Sequence, residues 1–104
     1  MKRYILSYDK FQNANDPFDD IVKLLLKQGA VEIKSPVQST FSFEMNQKVC
    51  EYEMCIVLKR LLEKLCYFCL GECCFIHYAE NDDSKPSRKE RIELITNKFK
   101  NEKN

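Results

Sequence analysis

The residue best suited to bind a metal ion or take part in catalysis is a carboxylate near the start of the chain. The stretch "RYILSYDK", residues 3–10, alternates with the period of two that is typical of a strand, and it reaches Asp9 just before it ends. A carboxylate at a strand end can hold Mg²⁺, because hard divalent cations prefer oxygen ligands fixed on rigid elements. A twofold dimer that apposed two first strands would place two Asp9 side chains around one ion. The alternative is that Asp9 accepts hydrogen bonds from backbone N–H groups in the loop leading to Asn13.

A second candidate site is a cluster of cysteines. The stretch "CYFCLGECC", residues 66–74, contains the spacing C-x₂-C, which is half of a zinc site and also the spacing of a redox pair. A structural zinc site needs a second pair at matching spacing, and Cys50 and Cys55 lie five residues apart on a predicted helix. We therefore favour buried thiols over zinc. His77 is the only histidine, and on a predicted strand it is favoured as a structural residue.

Three aspartates precede an apolar helical pattern. In "NDPFDDIVKLLLKQG", residues 15–29, Asp16 stands at the position of a helix cap, Pro17 at the first helical position, and Asp19 and Asp20 in the first turn. These carboxylates could ligate a metal, but their position at a helix start favours capping and interaction with the helix dipole. Gly29 is a natural end for this helix.

The remaining patterns define the order of the elements. Two short strands are predicted near residues 30–35 and 37–44, joined by a turn at "SP", and a second helix from about Gln47 to Leu65. After an irregular "CYFCLGE", a fourth strand is predicted in "CCFIHYAE", residues 73–80. This order is the split βαββαβ arrangement, so we expect an α+β, ferredoxin-like fold with a four-stranded antiparallel sheet and two helices on one face.

The long N-terminal part of the sequence, the body, is slightly acidic, whereas the C-terminal tail is basic. Residues 1–84 hold 10 Lys and Arg against 13 Asp and Glu, whereas residues 85–104 hold 7 against 3. We predict a ferredoxin-like domain over 1–84 and a basic tail over 85–104, preferably a helix, with a fifth or swapped strand as the alternative. Ser87 and Glu90 stand at capping-box spacing. The candidate nucleic-acid-binding residues are those at the start of this tail: Lys85, Arg88, Lys89 and Arg91.

Several aromatic residues of the predicted strands could form a surface that binds nucleic-acid bases. On an open sheet face they could stack bases, but the body lacks interleaved Arg and Lys, so core or dimer-interface packing is favoured. The residues concerned are Tyr4, Tyr8, Phe41, Phe43 and Phe75. No apolar run approaches the roughly 20 residues that span a bilayer, and the N-terminus does not resemble a signal peptide. We therefore expect a cytoplasmic protein with no membrane partner.

Three stretches, "RYILSYDK", "GAVEIKSPVQSTFSFE" and "CCFIHYAE", together resemble the small ferredoxin-fold proteins of the CRISPR adaptation-subunit family and their relatives, the virulence-associated protein D toxins. Tyr8-Asp9 matches the Tyr-Asp that ends their first strand, and Gln38-Ser-Thr-Phe approximates a later strand. The resemblance covers about residues 3–80. It implies a homodimer in which two Asp9 residues approach each other, with Asp9 as the candidate Mg²⁺ ligand and catalytic residue.

Two functions follow from this resemblance, because some of these proteins are metal-dependent nucleases of RNA or DNA and others are non-catalytic subunits. The first is a homodimeric, Mg²⁺-dependent endonuclease. The second is a scaffold of the same fold that binds a nucleic acid or a protein partner, which the acidic body and the lack of an Arg near the Asp9 loop favour. A zinc or redox protein built on the cysteine cluster is a third hypothesis.

Overall fold

Four strands form one antiparallel sheet in the computed structural model, which describes residues 2–46, 51–73 and 88–102. The strands are β1 (Lys2–Lys10), β2 (Val31–Lys34), β3 (Thr40–Met45) and β4 (Cys66–Cys73), and the helices are α1 (Phe18–Lys27), α2 (Glu51–Leu62) and α3 (Arg88–Glu102). The strand order across the sheet is β2-β3-β1-β4. This α+β arrangement is compatible with a ferredoxin-like fold, which confirms the predicted fold class.

One face of the sheet carries the core. Leu6 lies opposite Phe41 and Tyr4 lies opposite Phe43 in the pairing of β1 with β3, and all four side chains are buried. The rings of Tyr4 and Phe43 stack with their centroids 5.8 Å apart. Because side chains alternate along a strand, the intervening residues of both strands lie on the other face of the sheet.

Helices α1 and α2 cover this apolar face. Their buried residues belong to the same core cluster as the sheet residues: Phe18, Ile21, Val22 and Leu25 of α1, and Met54, Leu58 and Leu62 of α2. At the start of α1 the carboxylate of Asp16 accepts a hydrogen bond of 3.0 Å from the backbone N–H of Phe18. Asp16 therefore satisfies one of the free donors of the first turn, although Pro17 and not Asp16 stands at the N-cap, one residue later than predicted.

The C-terminal helix α3 packs against α1 and β2. Ile92 is buried in the common core and Ile95 packs against it. Arg91 forms an ion pair of 2.7 Å with Asp19, and its guanidinium lies 4.3 Å from the ring centroid of Phe18. The helical prediction for the tail is thus confirmed, whereas the capping residue proposed at Ser87 lies outside the described residues.

The fourth strand begins at Cys66, seven residues earlier than predicted. The segment "CYFCLGE", which was predicted to be irregular, forms most of β4. This strand begins at Cys66 and pairs with β1 along its whole length, from Lys10 opposite Cys66 to Arg3 opposite Cys73. The predicted strand overlaps β4 only at Cys73, since residues 74–80 lie outside the described part of the chain. The second helix ends at Leu62, three residues earlier than predicted.

Of the three helices that the structure describes, none has the length and the apolar character needed to cross a bilayer.

Candidate functional site at the end of the first strand

Asp9 lies on the face of the sheet opposite to α1 and α2, which we call the open face. Ser7 and Asp9 of β1 are both exposed there, and their cross-strand partners on β4 are Cys69 and Tyr67, which are exposed too. β1 is an interior strand that pairs with β3 as far as Ser7 and with β4 as far as Lys10, so the backbone at Asp9 is paired with β4 alone. The sheet therefore offers a carboxylate to solvent near the end of β1.

The loop after β1 does not use this carboxylate. The N–H of Phe11 donates to the carbonyl of Leu65 at 2.8 Å, and the N–H of Ala14 donates to the carbonyl of Phe11 at 3.1 Å. The ammonium group of Lys10 donates to the carbonyl of Ala14 at 2.6 Å. The carboxylate of Asp9 makes no hydrogen bond or ion pair with any residue that the structure describes. The alternative explanation was that Asp9 accepts hydrogen bonds from backbone N–H groups of its loop. No contact among the described residues supports it.

An aromatic pair stands beside Asp9. The ring of Tyr67 contacts the ring of Phe11 edge to face, with centroids 4.5 Å apart and an interplanar angle of 81°. Tyr67 nevertheless keeps 72% of its surface exposed. Its position directly opposite Asp9 in the pairing of β1 with β4 places both side chains on the open face.

Exposed cations lie at the same end of the sheet. β1 ends at Lys10, and β4 begins at Cys66 after a short turn that follows α2. From Lys59 to Tyr67 the chain carries three cations, Lys59, Arg60 and Lys64, against the single carboxylate of Glu63, and all four are exposed. Lys59 and Arg60 belong to α2, which covers the other face of the sheet, so the cations that adjoin the ends of β1 and β4 are Lys10 and Lys64.

The carboxylates do not gather into a metal site within one chain. Among the described residues, no three His, Cys, Asp or Glu side chains are close enough to hold one ion. The Asp16 carboxylate accepts a hydrogen bond from Phe18 in the first turn of α1, and Asp19 pairs with Arg91 of α3, a contact that the sequence did not predict. Asp9 supplies the hard oxygen donor that Mg²⁺ prefers, but it belongs to no group of three such ligands among these residues.

The C-x₂-C pair does not form a common site either. Cys66 is buried on the core side of β4 and Cys69 is exposed on the open face, because residues three apart on a strand point to opposite sides. Burial, with a smaller contribution from the charge of Asp9, raises the pKa of the Cys66 thiol. The two sulfurs therefore cannot ligate one ion together, while Cys50, Cys74 and His77 lie outside the described residues.

On the core side of β1, Tyr8 lies beneath the loop that follows β2. Its ring stacks on Phe41 with centroids 6.0 Å apart. Burial raises the pKa of Tyr8 to about 12; the nearby carboxylate of Asp16 adds to the rise, and a hydrogen bond with the Ser39 side chain opposes it. Ser39 has a positive φ of 62°. Tyr8 is therefore a neutral phenol near pH 7 whose ring packs against Phe41.

The aromatic residues considered for base stacking do not share an exposed surface among the described residues. Tyr4, Phe41 and Phe43 are buried in the core, as favoured from the sequence, and Phe75 lies outside the described residues. Tyr67 and Phe11 were not singled out from the sequence, because the segment containing Tyr67 lacks alternation between polar and apolar residues. Only the pairing of β1 with β4 places Tyr67 beside Asp9, with Phe11 in contact with its ring.

The proposed nucleic-acid-binding residues of the tail are partly engaged within the protein. Arg88 donates from Nε to the carbonyl of Ser35 at 3.1 Å, and Arg91 is held by Asp19 at 2.7 Å. Lys89 is exposed, and Lys85 lies outside the described residues. The two arginines therefore dock α3 onto the body, and binding of a phosphate by either would compete with these contacts.

Comparisons with known proteins do not assign a family. No protein-family model, curated protein or solved structure matches the chain significantly. The resemblance to CRISPR adaptation subunits accordingly stays a prediction.

Proposed function

We propose that the protein is a homodimeric, cytoplasmic endonuclease of RNA or DNA that resembles the CRISPR adaptation subunits and depends on Mg²⁺. One observation carries the proposal: the carboxylate of Asp9 is exposed on the open face near the end of β1 and has no hydrogen bond or ion pair with the described residues. A solvent-facing carboxylate on a rigid strand, with cations nearby, suits an ion and a phosphodiester better than it suits a structural contact.

A homodimer would complete the site. One chain offers one carboxylate, and Mg²⁺ keeps several waters when few protein ligands are present. A twofold axis that brought two open faces together near Asp9 would supply a second, identical carboxylate. When bound there, Mg²⁺ would activate a water and neutralise the phosphate charge. The role of the chain itself is to hold Asp9 at a fixed position on β1.

The second candidate function is a non-catalytic scaffold of the same fold that binds a nucleic acid or a protein. The observation that favours it is the isolation of Asp9, since no other carboxylate joins it within the described part of the chain to form a metal site. In this case the dimer would present its surface to a partner without hydrolysing it.

The test is cleavage of labelled single- and double-stranded RNA and DNA in Mg²⁺ by the wild type and by Asp9→Asn. Asp20→Asn is the matched control, because it makes the same chemical change at an exposed carboxylate on α1. We expect cleavage by the wild type and the control and none by Asp9→Asn, with all three dimeric in sedimentation. Intact dimers that cleave nothing would favour the scaffold, and equal cleavage by Asp9→Asn would contradict the role of Asp9.

A further inference from the structure

We infer that Phe11 and Tyr67 form an aromatic clamp that holds the end of β1 against β4 and thereby positions the carboxylate of Asp9. The inference rests on the proposed function, because it names positioning residues for the same site. Neither ring is a catalytic residue, since each acts on the site through the backbone that carries Asp9.

Among the described strands, only β4 supports the backbone at the end of β1. The pairing of β1 with β3 reaches Ser7, whereas Asp9 and Lys10 are paired with β4 alone. The N–H of Phe11 donates to the carbonyl of Leu65 at 2.8 Å, which extends the contact with this neighbour beyond the strand. A strand end that is supported on one side opens more readily than the middle of the sheet. The position of Asp9 therefore depends on what holds this end to β4.

The rings of Phe11 and Tyr67 contact each other at this end of the sheet. Tyr67 lies directly opposite Asp9 on β4, and Phe11 follows Asp9 by two residues, just after β1 ends. Their edge-to-face contact, with centroids 4.5 Å apart, joins the two segments next to Asp9. An aromatic pair of this geometry stabilises a structure beyond the area it buries, so the contact opposes separation of β1 from β4.

The contact lies outside the core. Tyr67 is 72% exposed, and Phe11 does not belong to the core cluster of the described residues. The core should therefore persist when the contact is removed. The loss should be found at the strand end, which opens in a local step without unfolding of the whole domain.

Amide hydrogen exchange of Asp9, followed by NMR on the full-length, metal-free protein, tests the clamp. N–H groups two residues apart on a strand point to the same side, so that of Asp9 faces β4 as that of Phe11 does. We expect exchange about 2- to 13-fold faster in Tyr67→Leu, the effect of losing one aromatic pair. Tyr67→Phe keeps the ring, and Tyr52→Leu removes an equally exposed tyrosine from α2. Both should exchange as the wild type does.

A double-mutant cycle identifies Phe11 as the partner of Tyr67. Phe11→Leu should accelerate the exchange of Asp9 as Tyr67→Leu does, and the combination should add little, because either substitution already removes the contact. The NMR order parameter of the Asp9 N–H, about 0.85 in rigid backbone, should fall in both single variants. Arg91→Gln, which weakens the docking of α3, is the control for a general loss of stability and should change neither quantity.

Three results would overturn the inference. These are unchanged exchange of Asp9 in Tyr67→Leu, additive effects of Phe11→Leu and Tyr67→Leu, and an equal acceleration by Arg91→Gln. The measurements need neither metal nor substrate. A protein that cleaves no nucleic acid can therefore still show the clamp, and a nuclease can still lack it, so the two failures are distinguishable.

Discussion

Asp9 and Tyr67 lie directly opposite each other on β1 and β4, with both side chains exposed on the open face of the sheet. This pairing joins a carboxylate that has no structural contact among the described residues to an aromatic ring held edge-on by Phe11. The same end of the sheet carries exposed cations. The site is therefore formed by strand register, since residues 58 positions apart in the chain become neighbours only when β4 pairs with β1.

Substitution of Ser42 should not destabilise the protein. Ser42 is fully buried on β3, and its hydroxyl oxygen has no hydrogen-bond partner among the described residues. A buried hydroxyl without a partner carries a desolvation cost of about 1–3 kcal/mol, which Ala does not have. We predict that Ser42→Ala has the same free energy of unfolding as the wild type or one up to about 2 kcal/mol higher.

Urea denaturation measures this effect, with Ser7→Ala as the control because Ser7 is exposed on the neighbouring strand. The control should lie within about 0.5 kcal/mol of the wild type. A loss of more than 1 kcal/mol (roughly one hydrogen bond) in Ser42→Ala would show that the hydroxyl is bonded in solution.

The ion pair between Arg91 and Asp19 should contribute modestly to the docking of α3. Both side chains are about half exposed, so a double-mutant cycle of Arg91→Gln and Asp19→Asn should give a coupling of about 0.2–1 kcal/mol that decreases with added salt. Arg91→Gln alone should cost more than Asp19→Asn alone, because it also removes the contact with the Phe18 ring.

Thermal or urea unfolding of the four proteins at low and high salt gives the coupling. Lys89→Gln is a suitable control, since Lys89 is an exposed cation on the same helix. If Lys89→Gln and Arg91→Gln were equally stable, Arg91 would not anchor α3 as the structure indicates.

The stability of the protein should fall as the pH rises from about 10 to about 12. Burial raises the pKa of Tyr8 to about 12 in the folded state, from an ordinary value near 10 in the unfolded chain. The unfolded state therefore loses this proton first, so the contribution of Tyr8 is complete below pH 10 and disappears through pH 12. Tyr8→Phe keeps the ring stacked on Phe41 and cannot ionise.

Unfolding free energies at pH 9 to 12 for the wild type and Tyr8→Phe test this dependence. We expect the two curves to converge or cross as the pH rises, with the variant showing the flatter slope. Parallel curves would mean that Tyr8 ionises as readily in the folded protein as in the unfolded chain.

The sequence was sufficient to predict the elements whose signals are local. The start of α1 is marked by Asp16 and Pro17, and the apolar stripe of the tail is marked by Ile92 and Ile95, so both helices form where they were expected. The position of β4 was not predictable in the same way. From Cys66 to Gly71 every residue is uncharged, so no polar period of two is visible, and Gly71 is a weak strand former.

The candidate site was predictable only in part. The chemistry of Asp9 and its place near the end of a strand are visible in the sequence, but its exposure and its lack of contacts depend on which face of the sheet the helices cover. Tyr67 was missed because its role depends on the register between β1 and β4, which is a long-range property. The tail arginines were proposed as ligands of nucleic acid, and only the packing of α3 shows that Arg88 and Arg91 already have partners.

The most direct test of the proposed function is the number of divalent ions that the protein binds at Asp9. Mn²⁺, a paramagnetic substitute for Mg²⁺, can be counted by electron paramagnetic resonance at equilibrium with the wild type, Asp9→Asn and the control Asp20→Asn. We predict one ion per two chains in the wild type and in Asp20→Asn, and none in Asp9→Asn. An ion that Asp9→Asn binds as well as the wild type does, or no bound ion in any of the three, would contradict a metal site shared between two Asp9 residues.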